Sequence, residues 1–106
     1  MREISQETIL KCIREMNGMY EKEGLKLVGL FGSYAKGDNS ELSDIDIAYE
    51  IDQSRFHPDN AFAQLDALQT VRETLQKRLG RRVDLVSVKS DNPVFKDRLE
   101  KELLSA

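Results

Sequence analysis

The chain of 106 residues has few of the residues that most often carry metal, redox or imidazole chemistry. Its single cysteine, Cys12, excludes an internal disulfide and a cysteine-rich zinc site. Its single histidine, His57, leaves little for imidazole catalysis. Sixteen basic residues stand against nineteen acidic ones, and the net charge of -3 argues against direct binding of nucleic-acid phosphates. We therefore expect the chemistry of this chain to come from carboxylates.

Long hydrophobic runs are also missing from the sequence. No apolar run approaches the ~18 residues of a membrane span, and no signal-peptide core follows the N-terminus. Hydrophobic residues make up 40% of the chain and charged residues 33%, which is typical of a globular domain in water. The sequence predicts one cytoplasmic domain over residues 1–106 with no membrane partner.

Hydrophobic periodicity and turn residues predict three helices and three strands. The predicted elements are, in chain order, a helix over 5–23 with Ser5 as N-cap, a strand over 26–31, a loop over 32–43 with one helical turn, a strand over 44–49, a helix from His57 to Gly80, a strand over 82–88 and a helix from Asn92 onward. The second long helix is expected to bury one apolar stripe, formed by Phe62, Leu65, Leu68, Val71, Leu75 and Leu79.

Connection lengths predict the arrangement of the sheet. The first two strands are joined by a short loop and should be antiparallel neighbours, whereas the crossover helix of ~20 residues should make the second and third strands parallel. The expected fold class is α/β (α+β), a small mixed sheet with helices packed on one face. Residues 101–106 are expected to be helical or frayed.

Two aspartates share one face of the second predicted strand. Side chains alternate along a strand, so Asp44 and Asp46 should project to the same side with Cα atoms about 6.5–7 Å apart, while Ile45 and Ile47 face the core. Aspartate is disfavoured in strands, and two like charges on one face repel. Asp84 interrupts the third apolar strand in the same way and, beside the other two, would complete a cluster of three carboxylates.

A cluster of this kind is costly unless a cation neutralises it. Oxygen ligands without histidine or cysteine indicate Mg²⁺, with Mn²⁺ as the alternative ion, rather than zinc. From the pattern alone, the competing interpretation is that the three aspartates face solvent on a sheet with one exposed side.

Gly32 and Ser33 directly follow the first predicted strand. A glycine here allows the backbone to approach a ligand closely, and Ser33 offers a hydroxyl and an amide donor for phosphate. The segment is not a P-loop, because Asp38 and Asn39 stand where lysine and serine or threonine are required. An ordinary turn at the end of a strand is the alternative.

The segment from Gly32 to Asp46 resembles the signature of the polymerase β-like nucleotidyltransferases. In that signature a Gly-Ser pair is followed, after ten residues, by Asp-x-Asp, and residues 34–43 are the ten residues here. The short chain and the residues around the motif are similar to the minimal nucleotidyltransferase (MNT) family. The resemblance implies the polymerase β-like nucleotidyltransferase fold.

The resemblance also implies a role for each residue of the motif. Gly32 and Ser33 would hold the β- and γ-phosphates of a nucleoside triphosphate, and Asp44 and Asp46 would hold two Mg²⁺ ions. Asp84 would share one of the ions and help to activate the attacking hydroxyl.

Lys36 stands where the family usually has arginine. Lysine supplies charge to the nucleotide site but cannot make the bidentate phosphate contact of arginine.

The function implied by the resemblance is Mg²⁺-dependent transfer of AMP from ATP to a hydroxyl acceptor. Small MNT proteins are commonly antitoxins of HEPN-domain toxins, and family members can adenylylate a tyrosine of the toxin. Two alternatives stay open: a non-catalytic antitoxin that occludes its partner, and a small-molecule (antibiotic) nucleotidyltransferase, which usually needs a longer chain. The sequence leaves the oligomeric state open.

Overall fold

The computed structural model describes residues 4–37, 43–89 and 92–106. The helices are α1 (Gln6–Tyr20), α2 (Ser33–Lys36), α3 (Ala61–Leu79) and α4 (Pro93–Glu102), and a 3-10 turn over Glu21–Glu23 follows α1. The strands are β1 (Leu25–Phe31), β2 (Ile45–Ile51), β3 (Val83–Ser87) and β4 (Leu104–Ser105). None of the helices in these three ranges is both long and apolar enough to cross a membrane.

Local capping signals define where the helices begin. The Ser5 hydroxyl accepts the backbone N–H of Thr8 at 3.1 Å, so the predicted N-cap of α1 is confirmed. Asn92 caps α4, and Pro93 occupies its first turn, as predicted.

The predicted start of the crossover helix at His57 was wrong. The helix begins at Ala61, four residues after His57, and Asn60 is its N-cap. His57 and Asp59 have φ angles of 45° and 59°, which lie outside the right-handed helical region. The segment before Asn60 is therefore a turn that cannot belong to the helix.

The four strands form one mixed sheet in the order β3-β2-β1-β4. β1 and β2 are antiparallel, and β2 and β3 are parallel, so both predicted pairings are confirmed. The sheet also contains β4, which pairs with β1 at Gly29 and Leu30, whereas residues 101–106 were expected to be helical or frayed. A Cβ on Gly29 would collide with the carbonyl of Leu104, so the missing side chain permits this close pairing.

One face of the sheet packs against α1 and α3 and forms the main core. The Asn17 side chain fixes α1 to the sheet, because it donates to the Leu27 carbonyl at 2.8 Å and accepts the Leu27 N–H at 2.7 Å. The buried residues of this core include Ile9, Ile13, Met16, Leu25, Leu27, Leu30, Ile45, Ile47, Val71 and Leu75.

The apolar stripe of α3 is only partly buried, contrary to the expectation. Val71, Leu75 and Leu79 are buried, but Phe62 is 88% and Leu65 is 65% exposed. α3 has 19 residues and spans about 28 Å. The neighbouring strand β3 has 5 residues and spans only about 17 Å. The stripe is therefore longer than the strand that it covers.

The second face of the sheet carries α4, so the expectation of helices on one face alone was wrong. Phe31, Ala48 and Leu99 form a small buried cluster there. Phe31 and Phe95 meet edge to face with ring centroids 5.8 Å apart. The helix thus covers part of the face to which Asp46 belongs, since Phe31 and Asp46 are cross-strand partners.

Candidate functional site

The strand register brings the predicted carboxylates together. In the parallel β2–β3 pair, Asp46 is the register partner of Asp84, and partners of this kind point to the same face of a sheet. Asp44 precedes β2 by one residue and lies two positions before Asp46, so it belongs to the same side of the chain. The aspartates differ in exposure, because Asp44 and Asp46 are half-buried and Asp84 is exposed.

The charges of Asp44 and Asp84 act on Asp46. Burial raises the pKa of Asp46 above its ordinary value, and the negative charges of Asp84 and Asp44 raise it further. The guanidinium of Arg98 opposes this rise. A cation close to Asp46 would therefore stabilise its ionised form.

The donor set of this site fits a hard divalent cation, since it consists of carboxylate oxygens. Within the described ranges, however, no three acidic, histidine or cysteine side chains are gathered closely enough to hold a metal ion as they stand. The aspartates therefore fit a metal ion in their ligand type and in their positions along the strands. Their side chains would have to rotate before they could coordinate the ion together.

Gly32 places the motif turn directly against Asp46. Its φ angle is 77°, and a Cβ at this position would lie 2.5 Å from Oδ2 of Asp46. Only glycine avoids both the backbone strain and this collision. The turn and the carboxylate can thus share one small volume, as a site for phosphate and metal requires.

Ser33 opens α2, which has only 4 residues, so its helix dipole adds little. The anion donors available there are the backbone N–H groups and the half-buried Ser33 side chain. Tyr34 is 2% exposed and packs in the core, which accounts for this aromatic residue without base stacking.

Gln6 supports the motif turn and was missed by the sequence analysis. Its Nε2 donates to the carbonyls of Tyr34 at 2.8 Å and Ala35 at 3.1 Å. These carbonyls lie in the last turn of α2 and would otherwise need other partners. No local signal could reveal this contact, because it joins residues 28 and 29 positions apart.

Lys36 contacts α4, which the sequence analysis also did not predict. Its Nζ lies 2.8 Å from Oε1 of Glu102. The hydrogen bond from Lys36 is the main cause of a lowered pKa at Glu102. The predicted nucleotide-binding lysine is thus connected to a helix that begins more than fifty residues later in the chain.

Positions 38–42 of the signature segment, which include the Asp38 and Asn39 that rule out a P-loop, lie outside the described residues. Arg82 adds a cation at the edge of the site, with Nε 4.0 Å from Oδ1 of Asp44. Since Arg82 is largely exposed, this ion pair contributes little to stability.

Comparisons with known proteins identify the family of this chain. The model of the family described as "Polymerase beta, Nucleotidyltransferase" matches residues 15–104. "Putative protein adenylyltransferase MJ1379" of Methanocaldococcus jannaschii is 39% identical over 85 residues, which are 79% of each chain. "Putative protein adenylyltransferase MJ0435" of the same organism is 36% identical over 81 residues, or 76% of this chain and 78% of the relative.

Two solved structures have a similar fold. "Structure of putative minimal nucleotidyltransferase" matches with a TM-score of 0.75 and 24% identity over 100% of both chains. "Crystal structure of the toxin-antitoxin with AMP-PNP" matches with a TM-score of 0.61 and 25% identity, over 96% of this chain and 72% of the other.

The chain belongs to the polymerase beta nucleotidyltransferase family and has the fold of that family. It is a nucleotidyltransferase that resembles proteins named as protein adenylyltransferases.

Proposed function

We propose that this chain transfers AMP from ATP to a hydroxyl group of a partner protein, with Asp44, Asp46 and Asp84 as the carboxylates of the reaction. The acceptor oxygen bonds to the α-phosphorus of ATP and gives up its proton, while the bond from the α-phosphorus to the oxygen shared with the β-phosphate breaks and pyrophosphate leaves. The pairing of Asp46 with Asp84, beside the turn at Gly32, is the observation that carries the proposal. The names of the two archaeal relatives support a protein as the acceptor.

In this proposal each residue of the site has a separate role in binding the nucleotide or the metal ion. Gly32 and Ser33 bind the β- and γ-phosphates, and Lys36 adds positive charge next to them. Asp44 and Asp46 hold Mg²⁺, which supplies charge neutralisation when bound, with Asp84 as a shared ligand. Asp84 is the most exposed of the three carboxylates, so it is the one that an incoming acceptor hydroxyl reaches first.

The acceptor that we propose is a tyrosine of a HEPN-domain toxin, so that the chain acts as an antitoxin in the cytoplasm. The structural similarity to one component of a toxin-antitoxin complex with AMP-PNP supports both a toxin partner and an adenine nucleotide. In this proposal residues 1–106 work as one catalytic domain, and the toxin supplies the acceptor.

Inhibition by binding alone is the second candidate function. The ion pair between Lys36 and Glu102 favours it, because the cation expected to contact phosphate already has a partner. In that case the chain would silence the toxin by covering it, and nucleotide would be unnecessary.

Labelled ATP distinguishes the two functions. The chain is incubated with Mg²⁺, a purified HEPN-domain toxin, and ATP labelled at either the α- or the γ-phosphate. Transfer of AMP predicts that only the α-label appears on the toxin and that Asp44→Asn abolishes the transfer. Asp66→Asn is the matched control, since Asp66 is an exposed aspartate on α3.

Silencing of the toxin without any label, and equally well by the Asp44→Asn variant, would contradict the proposed transfer and support inhibition by binding alone.

A further inference from the structure

Two side chains of α4 extend the candidate site beyond the signature segment. Glu102 Oε1 lies 2.8 Å from Nζ of Lys36, and Glu102 Oε2 lies 3.5 Å from Nη2 of Arg98. Arg98 and Glu102 are four residues apart and therefore lie on the same side of the helix. One carboxylate thus contacts two cations, one from the motif turn and one from a distant helix.

Glu102 is more buried than the two cations that it contacts. Its side chain is 16% exposed, compared with 45% for Lys36 and 53% for Arg98. Within the described ranges its Oε2 is buried and has no hydrogen-bond partner, although Arg98 lies near it. A buried carboxylate oxygen needs positive charge, so Glu102 has a physical reason to keep both cations close.

Arg98 is also close to the carboxylates of the site. Its guanidinium carbon lies 5.5 Å from the ring centroid of Phe31, and Phe31 is the cross-strand partner of Asp46. The positive charge of Arg98 acts on Asp46. The guanidinium therefore lies over the face of the sheet that carries the aspartates.

Both cations retain donors for a further anion. A lysine ammonium has three N–H donors and an arginine guanidinium has five, and Glu102 has only two oxygens. The three side chains together carry a net charge of +1. An anion with several oxygens, such as a triphosphate, would therefore find unused donors on both cations.

We propose that Glu102 is a positioning residue that holds Lys36 and Arg98 for the triphosphate of the nucleotide, and that Arg98 is a binding residue outside the signature segment. This inference rests on the proposed function, since it concerns the same nucleotide site. It gives α4 a part in substrate binding that the motif alone does not contain.

Replacing Glu102 by its neutral isostere tests the proposal. Glu102→Gln should weaken the binding of ATP with Mg²⁺ by about 5- to 10-fold, since both cations lose the charge that orients them. The KM for ATP should rise by the same factor while kcat stays nearly constant. Glu100→Gln is the control, because Glu100 is an exposed glutamate of the same helix.

A mutant cycle shows whether Glu102 acts through Lys36 and Arg98 together. Arg98→Met should weaken ATP binding on its own. In a Lys36→Met, Arg98→Met background, Glu102→Gln should then cause little further loss of affinity. Melting of every variant without nucleotide separates a change in affinity from a change in folding.

Each of the following results would overturn the inference. Tighter binding of ATP by Glu102→Gln would mean that Glu102 withholds Lys36 from the nucleotide. An unchanged affinity with a lower melting temperature would mean that the cluster is structural only. If the wild-type chain bound no ATP, the proposed function would fail together with this inference, whereas wild-type binding that Glu102→Gln leaves intact would refute the inference alone.

Discussion

The two faces of the sheet differ in what covers them. Among the described residues, sixteen buried side chains form the core between the sheet and α1 and α3, and no charged side chain is buried there. On the opposite face, three buried residues form a cluster between the sheet and α4, and the aspartates, Arg98 and Glu102 lie on the same side. The comparison shows that one face supplies the stability of the fold and leaves the other free to hold charges that a full core would exclude.

Truncation of a core side chain on each face should show the largest difference. Leu30 is completely buried in the main core, so Leu30→Ala should lower the free energy of unfolding by about 3–5 kcal/mol. Leu99 lies in the small cluster, and Leu99→Ala should cost only about 2 kcal/mol but should also weaken ATP binding by displacing α4.

Chemical denaturation and nucleotide titration of these two variants measure both effects. Equal losses of stability, or a weaker nucleotide site in Leu30→Ala than in Leu99→Ala, would break the proposed division between the faces.

Adding one methyl group at Gly32 should have an intermediate effect. In Gly32→Ala the new Cβ would meet Oδ2 of Asp46 and the residue would keep a positive φ, so we expect a loss of about 1–3 kcal/mol of stability. The loss of activity should be larger than the loss of stability explains, because the carboxylate of Asp46 must move. Gly37→Ala is the control, since Gly37 also has a positive φ but a Cβ there would meet nothing within 4 Å.

Thermal melting and label transfer on both glycine variants separate strain from collision. If Gly37→Ala lost as much activity as Gly32→Ala, backbone strain alone would account for the result.

Removal of the Asp46 charge should give the smallest change in stability. Like charges on neighbouring strands destabilise a sheet by roughly 0.2–1 kcal/mol, so Asp46→Asn should stabilise the metal-free protein by about that amount. The same variant should lose nucleotidyl transfer. Lower melting of Asp46→Asn in metal-free buffer would show that the carboxylates do not repel one another.

The raised pKa of Asp46 also sets the sign of a pH effect. Between the ordinary value of 3.8 and the raised value, the folded protein binds more protons at this site than the unfolded chain does. The contribution of Asp46 to the free energy of unfolding therefore falls as the pH rises through this window. The difference in stability between Asp46→Asn and the wild type should grow over the same window, and a constant difference would argue against the pKa shift.

Much of the fold could be predicted because the relevant signals are local. Ser5 and Asn92 are N-cap residues that mark the starts of α1 and α4, and the lengths of the connections indicate which strands are parallel. The crossover helix also predicted that the second and third strands are parallel, and this pairing places Asp46 beside Asp84. The catalytic roles of these residues remain predictions.

The features that were missed depend on contacts between distant parts of the chain. β4 has 2 residues, too few for a periodic pattern, and its pairing depends on the absent side chain of Gly29. In the sequence, Glu102 is indistinguishable from the other charged residues of its helix, and only the fold places it next to Lys36. The exposure of Phe62 depends on the length of β3, and the hydrophobic pattern of α3 carries no information about that length.

The short strand β4 affects how the protein responds to heating. It pairs with β1 through only two residue pairs, and one residue separates it from Glu102 at the end of α4. Short edge pairings open more readily than buried core strands. We expect local opening of β4 to loosen α4 and scatter the two cations while the main core stays intact. Nucleotide binding should then be lost at a lower temperature than cooperative unfolding, and coincident losses of binding and fold in a single heating experiment would contradict this.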